Sequence, residues 1–132
     1  MRTEVWDVAH AFGSSIEGWT VLVPRHHVMS VADLTDTEVS ELGPLVRDLS
    51  RTVQAVTGSP KTYVVQFAEH PQHPHVHLHV IPRDKDLEEC YRGPRIFDLL
   101  GLPEDRCVPE YRMNQIADDL AVHMTSAGWR VR

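Results

Sequence analysis

Hydrophobic residues recur along the chain with two different periods. Residues 4–12 alternate loosely between apolar and polar positions, and the run Trp19–Val23 is rich in β-forming residues. Alternation with a period of two is typical of a β-strand, so we expect an antiparallel pair here. The runs Thr62–Phe67 and His75–Ile81 predict two further strands, and Pro82 is expected to end the last one.

Between these pairs of strands the period changes to that of a helix. Thr35 and Glu38 match a capping box, and apolar residues then recur every three or four positions as far as Gly58, which fits a C-terminal cap. Pro44 lies inside this pattern, and because proline removes a helical hydrogen bond we expect one kinked helix. A second helix is predicted over about 109–127.

The order strand, strand, helix, strand, strand, helix indicates an α+β domain with a mostly antiparallel sheet. The chain has 132 residues, of which 42% are hydrophobic and 24% charged. That length supports one domain with a packed core and does not support two. We therefore expect residues 1–132 to form a single domain.

Charge and cysteine content narrow the function classes. The net charge of −6 with neutral histidines argues against a nucleic acid polymer as partner, although a few local donors could still hold a small anion. Cys90 and Cys107 form neither a disulfide framework nor a CxxC metal knuckle. No apolar run reaches the roughly 18 residues of a membrane span, and no signal-type segment follows Met1. We expect a cytoplasmic protein with no membrane partner.

The run His75–Ile81 carries the most distinctive chemistry of the chain. His75, His77 and His79 alternate with aliphatic residues. On a strand, side chains two residues apart point to the same face at roughly 6.5–7 Å from each other. The pattern therefore predicts a row of imidazoles backed by an apolar core face.

Three interpretations of this row are open. A purely structural role would not explain why the histidines lie in a row, because each imidazole resists protonation of its neighbours. A metal site is possible, since neutral imidazole is a common metal ligand. Nucleophilic catalysis at phosphorus is the interpretation we favour: a neutral imidazole attacks without a base, and its neighbours can fix its tautomer and stabilise charge.

The same run resembles the signature of the histidine triad (HIT) family, in which three histidines alternate with hydrophobic residues, and all seven positions match. The segments Gly18–Val28 and Asp33–Glu38 also resemble the family, so the resemblance covers roughly residues 5–83. Residues 84–132 form a C-terminal extension, part of which resembles an actinobacterial-looking subgroup. The resemblance implies a HIT-like domain with a mostly antiparallel sheet of about five strands, one long helix and a C-terminal helix.

The resemblance also implies a reaction. HIT proteins are nucleotide hydrolases and transferases that act at the α-phosphate of nucleoside 5′-phosphate derivatives such as phosphoramidates or dinucleoside polyphosphates. His77 would be the nucleophile and form a nucleotidyl intermediate, His75 would orient it, and His79 would donate to the phosphate. No metal or cofactor is required for this step. Family members are commonly homodimers, so we expect a homodimer that binds a nucleotide or nucleotide derivative.

The chain departs from the family pattern in several places, including the two that follow. Gly18-Trp19 stands where the family has Gly-His, and the loop His70–Pro74 is shorter and stiffer than usual and lacks a serine or threonine. Two alternatives to the enzyme therefore stay open: a nucleotide-binding or interaction protein with weakened catalysis, and a metal-binding histidine cluster. The candidate substrate- and nucleotide-binding residues are Gln66, Gln72, His73, Trp19, Phe12 and His10.

Overall fold

The computed structural model describes all 132 residues and contains one antiparallel sheet and two α-helices. The helices are α1 (Asp36–Thr57) and α2 (Glu110–Ser126). The α+β class, the long helix and the C-terminal helix are confirmed, with four strands where about five were expected. The strands pair in the order β1–β2–β4–β3 and span Trp6–His10 (β1), Thr20–Pro24 (β2), Lys61–Val65 (β3) and Leu78–Arg83 (β4).

Helix α1 begins and ends as the sequence predicts. The Glu38 carboxylate accepts from the Thr35 N–H at 2.7 Å, and the Thr35 hydroxyl accepts from the Glu38 N–H at 3.3 Å, which completes the capping box. Gly58 caps the C-terminus with a φ of +72°. Pro44 lies within one continuous helix. Its ring is exposed, whereas Leu45, Leu49 and Val53, which face the core, are fully buried.

Each face of the sheet has its own apolar core. Helices α1 and α2 cover one face, where Val76 and Val80 join a cluster of 13 buried residues. A smaller cluster on the other face contains Trp19, Ile81 and Ile96. Because successive residues of a strand point to opposite faces, β4 contributes alternately to both clusters. The histidines therefore share the face of the smaller cluster.

The C-terminal extension covers part of that second face. It contains three short 3-10 helices, at Glu89–Tyr91, Gly93–Leu99 and Glu104–Arg106. Backbone hydrogen bonds attach it to the turn between β1 and β2: the Ser15 N–H donates to Leu99 at 3.3 Å, and the Val108 N–H donates to Ser14 at 2.8 Å. These hydrogen bonds hold the segment after β4 against the turn between β1 and β2.

Two details of the predicted histidine strand were wrong. Regular pairing begins at Leu78, so His75 and His77 precede β4 in an irregular segment. Pro24 of β2 would continue the ladder there, but it has no amide hydrogen to donate. Pro82 was expected to end the strand, yet it lies inside β4. It is tolerated because it lies beyond the last β2–β4 pair, where one edge of the strand is free.

Neither α-helix is long and apolar enough to cross a membrane.

Gly18→Ala is expected to lower the free energy of unfolding. Gly18 has a φ of +83°, and an added Cβ would lie 2.5 Å from Cγ2 of Thr57. The backbone conformation alone costs a side-chain-bearing residue about 1–2 kcal/mol. Gly43→Ala is the matched control: a Cβ there meets nothing within 4 Å, so the helix should gain about 0.5–1 kcal/mol. Urea denaturation measures the free energy of unfolding of both variants. Equal stability of Gly18→Ala and Gly43→Ala would contradict the strain expected at Gly18.

Candidate active site

His77 presents one free ring nitrogen. Its Nδ1 lies 2.9 Å from the backbone oxygen of His75. Because a carbonyl oxygen can only accept, Nδ1 must carry the hydrogen. The lone pair of this half-buried ring is therefore on Nε2, which is free to attack an electrophile.

His79 is held in the opposite tautomer by Trp19. The indole Nε1 of Trp19 lies 3.0 Å from Nδ1 of His79. Indole N–H is a donor only, so Nδ1 of His79 accepts and its hydrogen is on Nε2. Both side chains are buried, with Trp19 at 0% and His79 at 6% exposure. The ring centroids of His77 and His79 are 4.9 Å apart, so the ring with the free lone pair lies next to the ring with the N–H donor.

Burial keeps the flanking imidazoles neutral at neutral pH. Burial and, to a smaller extent, the charge of His77 lower the pKa of His79 from 6.5 to about 4. The pKa of His75 is also lowered, first by burial and then by the charges of His77, His27 and His73. The two flanking rings therefore offer hydrogen-bonding groups without fixed positive charge.

Aromatic residues form a wall beside His79. Phe97 lies edge-on to His79 at 5.0 Å and to Trp19 at 5.3 Å between ring centroids. Phe67, which is 55% exposed, lies 5.3 Å from Phe97 and extends the wall to the surface. Sequence reasoning missed both phenylalanines, because Phe97 belongs to the C-terminal extension and neither residue is part of a motif.

Histidines continue the row on the other side of His77. The centroid distances are 5.5 Å from His75 to His27, 6.2 Å from His75 to His73 and 5.4 Å from His73 to His70. We call His27, His70 and His73 the outer imidazoles. His27 lies in the loop after β2, and the hydrogen bond from the Val76 N–H to the Val28 carbonyl at 2.8 Å holds that loop beside His75.

The polar candidates lie at different distances from this row. Gln66 is half-buried and follows Val65, which pairs with His79 in the sheet. Gln72 is exposed in the loop that carries His73. These positions leave Gln66 closest to the triad along the sheet.

Three other candidates do not join the row. Phe12 is 77% exposed in the turn after β1. His10 is buried, and both its ring nitrogens have partners: Nδ1 is 2.8 Å from the Ala11 carbonyl, and Nε2 accepts from the Gly18 N–H at 3.0 Å. Trp19 is enclosed behind His79 rather than open to a ligand.

No group of three or more His, Cys, Asp or Glu side chains is arranged so as to hold a metal ion.

The family model described as HIT domain matches residues 7–86, more than half of the chain. The chain belongs to the HIT family. His75, His77 and His79 thus occupy the histidine triad of a HIT domain. No curated protein sequence matches the chain.

Solved structures of HIT proteins share this fold. A histidine triad protein from Bradyrhizobium japonicum superposes with a TM-score of 0.75 at 16% identity, over 92% of this chain and 86% of that one. One from Marinobacter aquaeolei gives 0.72 at 20% identity, over 95% and 86%. A zinc-bound histidine triad family protein from Mycobacterium smegmatis gives 0.67 at 16% identity, over 96% and 85%. At these identities the similarity establishes the fold alone.

Trp19→Phe is expected to raise the pKa of His79. The indole donor to Nδ1 stabilises the neutral ring of His79, and the substitution removes this donor. Protonation therefore becomes easier, and the pKa rises by on the order of one unit. Trp129→Phe is the matched control, because its indole N–H donates to Asp48 instead. An NMR titration of the His79 ring checks both variants. An unchanged pKa in Trp19→Phe would contradict the assigned hydrogen bond.

Stability should depend on pH through His79. The pKa of the folded ring is about 4 and its ordinary value is 6.5. Between pH 4 and pH 6.5 the unfolded chain binds more protons than the folded chain. The contribution of His79 to the free energy of unfolding is therefore complete above pH 6.5 and is lost as the pH falls towards 4. Urea denaturation across this range should show a smaller pH dependence for His79→Gln than for wild type. Identical slopes would contradict the lowered pKa.

Proposed function

We propose that this HIT protein is a nucleotide hydrolase or transferase that cleaves at the α-phosphate of nucleoside 5′-phosphate derivatives through a nucleotidyl-His77 intermediate. The hydrogen bond from Nδ1 of His77 to the His75 carbonyl carries the proposal. In the neutral ring it places the hydrogen on Nδ1 and the lone pair on Nε2, and a neutral imidazole needs no base before it attacks phosphorus.

In the first step, Nε2 of His77 attacks the α-phosphorus and a P–N bond forms. The bond from phosphorus to the leaving group breaks, and the leaving group departs with the electron pair, a phosphate as the anion and an amine together with a proton taken from solvent. The substituted ring becomes an imidazolium whose Nδ1–H still donates to the His75 carbonyl. This hydrogen bond strengthens as the ring becomes positive, so it stabilises the intermediate more than the free enzyme.

In the second step, water attacks the phosphorus of the intermediate and the P–N bond breaks. One proton of the water passes to solvent or to the released phosphate, and His77 regains its Nε2 lone pair. The products are a nucleoside monophosphate and the original neutral ring. An acceptor other than water would give transfer in place of hydrolysis.

The neighbouring groups have defined parts in both steps. Nε2–H of His79 donates to a phosphoryl oxygen, and the Trp19 indole keeps that hydrogen in place. Gln66, Gln72 and His73 supply further polar contacts. The exposed ring of Phe67, supported by Phe97, offers a face on which a nucleobase can stack.

Two further features are proposed from the family alone. No metal or cofactor takes part in the nucleophilic step, and the protein acts as a homodimer. Chelator treatment that leaves turnover unchanged, together with light scattering at twice the chain mass, would support both features.

His77→Ala should abolish turnover of a nucleoside phosphoramidate or a dinucleoside polyphosphate, with a loss on the order of 10³-fold or more, because the covalent route is removed. His123→Ala is the matched control, since His123 lies on α2 and its ring contacts the Asp119 carbonyl. Release of the nucleoside monophosphate measures turnover, and mass spectrometry of the quenched wild type should locate a nucleotide on His77.

The possible failures have different meanings. Turnover retained in His77→Ala would show that the nucleophile is a different group. Binding of nucleotide without turnover by wild type would favour the binding protein with weakened catalysis.

A further inference from the structure

The two sides of the nucleophile differ in chemistry. On one side, His79 is enclosed by Trp19 and Phe97, so this side is apolar and dry. On the other side, the row continues from His75 into the outer imidazoles, which are exposed. A substrate bound across His77 therefore meets an aromatic wall at one end and a set of imidazoles at the other.

The outer imidazoles have few partners within the protein. The rings of His27, His73 and His75 make no hydrogen bond or ion pair with protein groups, and Nδ1 of His70 accepts only from the Gln72 N–H at 3.2 Å. The neighbouring His26 is different, because its Nδ1 lies 3.8 Å from the Glu38 carboxylate and 57% of its side chain is exposed.

The charges that act on His75, the neighbour of His27 and His73, are all of one sign. The charges that act on His75 come from His77, His27 and His73, and no carboxylate is among them. An anion placed among the outer imidazoles would accept several N–H hydrogen bonds, so the cluster is complementary to an oxygen-rich anion.

The tautomer of His79 restricts the leaving group as well. A leaving amine must be protonated, but Nδ1 of His79 already accepts from Trp19 and its only hydrogen belongs to a neutral ring. Such a ring is a hydrogen-bond donor and a very weak acid. A phosphate leaving group needs no proton, because it departs as an anion.

We infer, on the basis of the proposed function, that the outer imidazoles form a subsite for an anionic, phosphate-containing leaving group. The nucleoside end of the substrate then lies towards Phe67 and Phe97. Attack by Nε2 of His77 breaks the bond between the α-phosphate and the bridging oxygen. The electron pair leaves with that oxygen, and the resulting phosphate anion is held by His27 and His73.

The direct test compares two substrates that share a nucleoside: a dinucleoside tetraphosphate and a nucleoside 5′-phosphoramidate. In the double variant His27→Asn with His73→Asn, the ratio of kcat/KM for the tetraphosphate over the phosphoramidate should fall at least about tenfold, because hydrogen bonds to a charged group are lost. His26→Asn should leave this ratio unchanged. An unchanged ratio in the double variant would overturn the subsite.

A binding measurement separates the subsite from the reaction. Calorimetry of inorganic tripolyphosphate, with nucleoside monophosphate present, should show binding to wild type and to His26→Asn, and binding at least about tenfold weaker to the double variant. If neither substrate is turned over, the proposed function fails, and this measurement still decides the subsite. Turnover through His77 with equal tripolyphosphate binding in all three proteins would reject the subsite and leave the proposed function standing.

Discussion

Strand β4 forms hydrogen bonds along both of its edges and contributes side chains to both faces of the sheet. Its edges pair with β2 and β3, and its Val80 side chain lies in the main core. A shift by one residue would exchange the core side chains for histidines, so packing fixes the register. Pairing ends at Leu78 on the β2 side, and the chain before it is free to turn the His75 carbonyl towards the ring of His77.

The hydrogen bond between Trp19 and His79 determines how the site can use its histidines. A histidine at position 19 could both accept and donate, whereas an indole only donates. His79 is therefore fixed as a neutral donor, and the ring of His77 is the one that changes charge in the proposed reaction. The burial that removes Trp19 from solvent also lowers the pKa of His79, so the packing of the second core and the chemistry are coupled.

Local patterns in the sequence predicted much of this structure. The alternation around β4, the Thr35–Glu38 capping box and the bounds of α1 each depend on residues close in sequence, and each was confirmed. The contacts of Trp19 with His79 and of Phe97 with the site join residues far apart in the chain, and no local period encodes them. Pro82 was misread because a proline is tolerated wherever a strand edge is free, which depends on the neighbouring strand.

The tautomers of the His77 and His79 rings test the proposed reaction most directly. Nitrogen chemical shifts of the 15N-labelled wild type, recorded at pH 7 without ligand, distinguish Nδ1–H from Nε2–H in each ring. We expect the neutral ring of His77 to carry its hydrogen on Nδ1, and His79 to be neutral with its hydrogen on Nε2. A neutral His77 ring with its hydrogen on Nε2 would block the nucleophile and contradict the proposed reaction, as would an Nδ1–H on His79.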